Sequence, residues 1–327
     1  MRRRTRLVWL VVVAILAASL TACSSAAGAA GSQPADIHSA GQTSAAAAST
    51  PVASSSPSLP TGPVIQITGA PKAVKAKGAI LVDADTGQVL WGRDVNTERP
   101  MASLTKVMTA LQVLKSGNLD QKIKVQKAAV TYAWKYGGET ASLRPGDTFT
   151  AQQLMTALLL ASGADAAYTL ASTYGPGLNA FVAKMNATAA QMGMKNTHFT
   201  SPDGLPYPTE TSTYSTPSDL VMLGLAAMRY PAFRSIVDVK FDNLAKGSGH
   251  NHYWWQNTSA FIGSYKGAIG IKDGYTDKAG HCLLFEAVRN GRHLIGVVLD
   301  SPASGVSAGA QDAGKMLNWG FGLQLAK

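Results

Sequence analysis

The chain is 327 residues long, 46% hydrophobic, and carries a formal net charge of +10 from 29 lysines and arginines against 19 aspartates and glutamates. No cluster of basic and aromatic side chains accompanies that excess, so nucleic acid is excluded as a partner, while anionic wall polymers and lipid headgroups both fit the charge. Two cysteines, Cys23 and Cys282, are too few for a disulfide framework.

Residues 1–22 have the layout of an export signal, with Met-Arg-Arg-Arg-Thr-Arg6, an apolar run over residues 7–20 and the small pair Thr21-Ala22. The apolar run falls short of the about 20 residues that a membrane-spanning helix needs. Leu20-Thr21-Ala22-Cys23 is similar to a bacterial lipobox, which predicts cleavage before Cys23 and lipidation of its thiol. Residues 23–63 then form a tether of Ala, Ser, Gly, Thr and Pro, with too few large apolar side chains to offset the entropy of ordering. Residues 64–327 have the length of one large domain and show no internal linker. The expected product is an exported protein held by its lipid at the outer face of the cytoplasmic membrane, within the cell wall.

The folded part opens with a hairpin. Ala79-Ile-Leu-Val-Asp83 and Gln88-Val-Leu-Trp91 flank Asp85-Thr86-Gly87, with glycine where a positive φ is needed. Leu104, Val107, Met108, Leu111 and Leu114 then recur at helical spacing, which predicts a helix from Leu104. Leu154, Ala157, Leu158 and Ala161 do the same behind Thr150, a candidate N-cap. Cys282-Leu-Leu-Phe-Glu-Ala-Val288 and His293-Leu-Ile-Gly-Val-Val-Leu299 flank Asn290-Gly291, the strongest short hairpin signal, and residues 312–321 read as a closing helix. Strands at both ends with helices between them predict an α/β (α+β) sandwich, an antiparallel sheet of N- and C-terminal strands covered by helices.

Ser103 stands where that first long helix begins, so free backbone N–H groups and the helix dipole would favour negative charge developing there. Lys106 is one turn on and shares its face, which lets its amine act as general base if burial or a second cation lowers its pKa. Cys282, inside an apolar run, reads as a small buried hydrophobe. His250-Asn251-His252 has a spacing that can ligate a metal, but no third and fourth ligand is apparent, and neither a metal nor a cofactor is expected.

Several segments, in order and spacing, closely resemble the D-alanyl-D-alanine carboxypeptidases, low-molecular-weight penicillin-binding proteins that trim peptidoglycan stem peptides. They are Lys77-Gly-Ala-Ile-Leu-Val-Asp83, Arg99-Pro-Met-Ala-Ser-Leu-Thr-Lys106, Leu143-Arg-Pro-Gly-Asp147, Ser162-Gly163-Ala164-Asp165, Asp203-Gly-Leu-Pro206, Gly270-Ile-Lys272-Asp273-Gly274-Tyr275 and Asn318-Trp-Gly-Phe321. The resemblance implies the fold of the penicillin-recognising enzymes, stem peptides as substrates and β-lactams as covalent inhibitors. It implies Ser103 as acyl-accepting nucleophile, Lys106 as its base and Ser162 as the S-x-N serine that relays a proton to the leaving amine. Lys272 becomes the K-T-G lysine, with Asp273, Gly274, Tyr275 and Ala164 beside the substrate and the N–H groups of Ser103 and Tyr275 as oxyanion hole.

Two of the three family motifs are altered, since S-x-N reads Ser162-Gly163-Ala164 and K-T-G reads Lys272-Asp273-Gly274. Ala164 has no amide for the substrate backbone, and Asp273 sets a charge like that of the substrate's terminal carboxylate where a threonine hydroxyl normally helps hold it. Gly309 stands where some relatives carry an arginine partner for that carboxylate. A D,D-carboxypeptidase with altered carboxylate recognition is therefore expected, one for which an amide in place of the carboxylate would suit Asp273. Two alternatives share these residues, a wall-binding protein of this fold without turnover and a β-lactamase or esterase. The β-lactamase lacks a recognisable deacylating glutamate motif.

Overall fold

The computed structural model describes residues 69–302 and 307–323, so the segments read as export signal (residues 1–22) and tether (residues 23–63), Cys23 among them, lie outside the described residues. β1 (Gly78–Asp83) and β2 (Val89–Arg93) form the first hairpin, and Gly87 takes the positive φ of 73° that its turn requires. β3 (Arg99–Pro100) leads through a 3-10 turn, Ala102–Leu104, into α1 (Thr105–Ser116). The helix thus starts one residue later than the apolar spacing predicts, and Ser103 sits within the tighter turn. The spacing reports which face is buried and is blind to how the first turn is wound.

The helical half follows with β4 (Lys122–Lys124), α2 (Lys127–Lys135), β5 (Thr148–Thr150), α3 (Ala151–Leu160), α4 (Ala164–Tyr174) and α5 (Leu178–Gln191). Thr150 caps α3, accepting from the Gln153 amide while the Gln153 side chain accepts from the Thr150 amide, a reciprocal pair worth about 1 kcal/mol. β6 (Tyr214–Ser215), α6 (Pro217–Met228) and α7 (Pro231–Val237) complete it, with β7 (Phe241–Leu244) and β8 (Tyr253–Gln256) as a short ribbon. The chain then returns to the sheet with β9 (Ala268–Thr276), β10 (Gly280–Arg289) and β11 (Arg292–Ser301), and α8 (Ala308–Gly322) closes it. Asn290 and Gly291 turn the last hairpin with φ of 52° and 75°.

The five long strands form one antiparallel sheet in the order β2-β1-β11-β10-β9. The N-terminal strand β1 therefore lies against the C-terminal β11, with Gly78 opposite Leu299 and Asp83 opposite Leu294. Side chains alternate across the sheet into two cores. Ile80, Val82, Leu284 and Val297 pack with the α1–α7 side, whereas Ala79, Leu81, Phe285 and Val298 pack with Met316 and Leu317 of α8. Both faces are covered, which explains why β1 reads as a continuous apolar run. The sandwich expected from the order of elements is the architecture found. Its working consequence is that β9 is an edge strand facing the start of α1.

Candidate active site

The 3-10 turn carries Ser103 up to β9, and two glycines make the approach possible. A Cβ on Gly274 would sit 2.8 Å from the Ser103 amide nitrogen. Gly204, at φ +83°, passes so close to the Ala102 carbonyl that a Cβ would overlap it, and the neighbouring Asp203 carbonyl thereby reaches Lys106.

Lys106 is 2% exposed, and its Nζ lies 2.8 Å from Ser103 Oγ and 2.9 Å from the Asp203 carbonyl oxygen. Burial pushes its amine down from 10.5 to about 8; the Lys272 ammonium adds to that depression, while the charges of Asp203, Glu139 and Asp273 oppose it. At pH 7 roughly one such lysine in ten is neutral, a usable supply of base where an ordinary lysine offers almost none. Asp203 is itself fully buried, and the Tyr132 phenol of α2 faces it. Burial and that carboxylate hold the phenol protonated well above its ordinary range.

Ser103 and Lys106 open into a cleft of about 900 Å³ whose walls include Glu139, Thr258, Asp273, Gly274, Tyr275, His281 and Gly309. Lys272 lies beneath that surface, 1% exposed, and donates to Asp273 Oδ1 at 2.7 Å and to Thr258 Oγ1 at 3.2 Å. Thr258 Oγ1 in turn donates to Asp273 Oδ1 at 2.7 Å. Desolvation works against a charged Asp273, but the Lys272 ammonium and these two hydrogen bonds prevail and hold its carboxyl below the ordinary value. The like-charge repulsion expected at Asp273 is thereby compensated from within the strand.

The S-x-N segment sits deeper. Ser162, in the left-handed region at φ 56°, is fully buried, and its hydroxyl has no hydrogen-bond partner among the described residues. Ala164 is fully buried too, its amide donating to the Glu139 carbonyl oxygen at 2.8 Å and its methyl backed by Gly138. Neither Ser162 nor Ala164 is among the residues lining the cleft, whereas Ser103, Lys106, Asp273, Gly274 and Tyr275 line it together. Asp165, in the first turn of α4, accepts from Thr140 Oγ1 and from the amides of Ala141, Leu143 and Ala166. It ties the strap of residues 140–143 to the Ser162 turn.

Glu139 and His281 carry no sequence signal, since neither belongs to a periodic apolar face or to a chemical motif of fixed spacing, and Asp165 enters only as the end of the resembling segment Ser162-Gly163-Ala164-Asp165. Asp203 acts through its backbone carbonyl, which no side-chain pattern reports. Cys282 is 2% exposed in β10, and burial pushes its thiol up to about 12, so it offers no thiolate. His250 Nδ1 pairs with the Asn251 carbonyl and His252 Nε2 with Asn243 Oδ1. No group of three or more potential metal ligands occurs among the described residues.

A buried lysine against a serine hydroxyl at a helix start, facing an edge strand, is an arrangement suited to acyl transfer. Residues 65–303 match the family model described as D-alanyl-D-alanine carboxypeptidase. A D-alanyl-D-alanine carboxypeptidase of Streptomyces sp. (strain K15) is 39% identical over 262 residues, spanning 76% of this chain and 88% of that protein. The crystal structure of the Streptomyces K15 DD-transpeptidase superposes with a TM-score of 0.73 at 37% identity, covering 78% of this chain and all of the other. The D-alanyl-D-alanine carboxypeptidase from Mycobacterium tuberculosis H37Rv gives a TM-score of 0.69 at 36% identity over 82% of this chain and 97% of its own. With a family match across most of its length and relatives well above 30% identity, the chain belongs to the D-alanyl-D-alanine carboxypeptidase family.

Proposed function

We propose that this protein is a serine D,D-carboxypeptidase that removes the terminal D-alanine from peptidoglycan stem peptides through an acyl-enzyme on Ser103. The observation that carries the reading is the 2.8 Å approach of Lys106 Nζ to Ser103 Oγ with the lysine buried and its amine depressed to about 8.

Neutral Lys106 donates one N–H to the Asp203 carbonyl, which leaves its lone pair for the Ser103 proton. Ser103 Oγ attacks the carbonyl carbon of the penultimate residue as that proton passes to Lys106. The oxyanion is held by the backbone N–H groups of Ser103 and Tyr275, fixed donors that need no reorganisation. Collapse breaks the C–N bond, and the departing D-alanine amine takes the proton that Ser103 gave to Lys106, which leaves the amine of Lys106 neutral again. Water then attacks the ester, Lys106 again serving as base, and the shortened peptide leaves with Ser103 regenerated. Lys272 keeps a second positive charge under the cleft and supports the neutral state of Lys106. A β-lactam acylates Ser103 by the same attack but keeps its leaving amine tethered.

Such a substrate lies outside the cytoplasmic membrane. We place the protein there, with residues 1–22 as export signal and Cys23 as the lipidated residue, on the strength of Leu20-Thr21-Ala22-Cys23. Metabolic labelling with a fatty acid should mark the wild-type protein and not Cys23→Ser.

The activity is tested by D-alanine release from diacetyl-Lys-D-Ala-D-Ala. Turnover by the wild type that disappears in Ser103→Ala is expected; folded wild-type protein without turnover would instead favour a wall-binding role.

A further inference from the structure

Given a carboxypeptidase, the substrate ends in a carboxylate, and this cleft lacks both the threonine and the arginine expected to hold it. The replacement partner follows from the register of the edge strands. Asp273 lies opposite Leu283, and Tyr275 opposite His281, in the antiparallel β9–β10 pair. Directly opposed side chains share a face and alternate along each strand, so Asp273, Tyr275, Leu283 and His281 stand on one face, with Lys272 and Gly274 on the other. Gly309 covers that first face, since a Cβ placed on it would lie 3.2 Å from Leu283 Cβ. The vacant arginine position therefore lies over Leu283, which has Asp273 opposite it on β9 and His281 two residues along β10.

Of these flanking residues only His281 can donate to an anion. It lines the cleft, half-buried, with its ring packed on Tyr275 at 4.7 Å between centroids. Neither of its ring nitrogens has a hydrogen-bond partner among the described residues, whereas Asp273 is committed to Lys272 and Thr258 and the Tyr275 hydroxyl donates to Asp277. A second unused donor lies in the same cleft. Ser259 is 4% exposed, and its hydroxyl is buried without a partner. Asp273 is compensated by Lys272, but Glu139, Glu210 and Asp277 also line the cleft, so an anion that binds here gains from a specific donor.

We propose that the terminal carboxylate of the substrate is held by the His281 imidazole, with the Ser259 hydroxyl as second donor, in place of the missing threonine and arginine. His281 thus determines the preference for a free acid, and recognition moves from the helix α8 to the second strand of the sheet edge. This rests on the carboxypeptidase reading for the identity of the ligand, but its test needs no turnover.

Binding of diacetyl-Lys-D-Ala-D-Ala and of its C-terminal amide is measured by calorimetry in the Ser103→Ala background, where no acyl-enzyme can form. The free acid should bind at least tenfold more tightly than the amide. Adding His281→Gln should abolish that preference while leaving amide affinity unchanged, which also reports an intact fold; adding His281→Arg should restore it. Equal affinity for acid and amide, tighter binding of the amide, or an acid preference that survives His281→Gln would each overturn the proposal. Failure of the activity itself is seen separately, as absence of D-alanine release with Ser103 in place.

Discussion

The Lys272 ammonium donates at 2.7 Å to the carboxylate of Asp273, its immediate neighbour on the same edge strand. The pair has two opposed effects. It removes the repulsion that a free Asp273 would exert on an anionic substrate, and it divides the positive charge that would otherwise act undiminished on Lys106 and on the ligand. The altered motif therefore weakens the positive potential of the cleft while the Lys106–Ser103 contact stays in place.

Asp273→Thr should accelerate acylation. Loss of the carboxylate, whose charge favours protonated Lys106, frees the Lys272 charge and raises the neutral fraction of Lys106. Because roughly one Lys106 in ten is already neutral at pH 7, the gain through the base is bounded at about tenfold. Stopped-flow acylation by a fluorescent penicillin checks this; a rate equal to or below wild type would show that Asp273 does not restrain the base.

The acylation rate should rise with pH and reach half its plateau near pH 8, since only the deprotonated amine of Lys106 accepts the Ser103 proton. Asp273→Thr should move that midpoint down. Lys272→Met should move it up, because it removes a like charge and leaves Asp273 uncompensated. Profiles of the three proteins in one buffer series measure both signs, and a midpoint that ignores Lys272 would break the link between the two lysines.

Asp165→Ala should destabilise the fold. Four donors, the Thr140 hydroxyl and three amides, lose one buried acceptor group. Stranding them costs about 3 kcal/mol. For a domain of this size that is a melting temperature lower by roughly 6–12 °C, readable by scanning calorimetry. A shift under about 2 °C would mean that the strap is held by other contacts.

The two hairpins and the α1 face were legible because their signals are local: Asn290-Gly291 dictates its own turn, and Leu104, Val107, Met108 and Leu111 mark a buried stripe. Ser103 and Lys106 were legible because one helical turn separates them. β9 was not, except through resemblance, since Gly270, Lys272, Asp273 and Gly274 give neither alternation nor an apolar run. Its place at the sheet edge is decided by long-range pairing with β10. The Lys272–Asp273 pair escaped notice for a related reason: neighbouring strand residues nominally point to opposite faces, so nothing in their adjacency predicts a bond. His281 and Asp203 acquire meaning only once separate segments converge on the cleft.

The proposed chemistry turns on an acyl-enzyme formed by Ser103 with Lys106 as its base. Mass spectrometry of the purified domain after exposure to benzylpenicillin addresses it directly. A single adduct with the mass of the intact β-lactam is expected, carried by the peptide containing Ser103, absent in Ser103→Ala and strongly slowed in Lys106→Gln. An unmodified wild-type protein that is demonstrably folded, or an adduct that persists in Ser103→Ala, would contradict it.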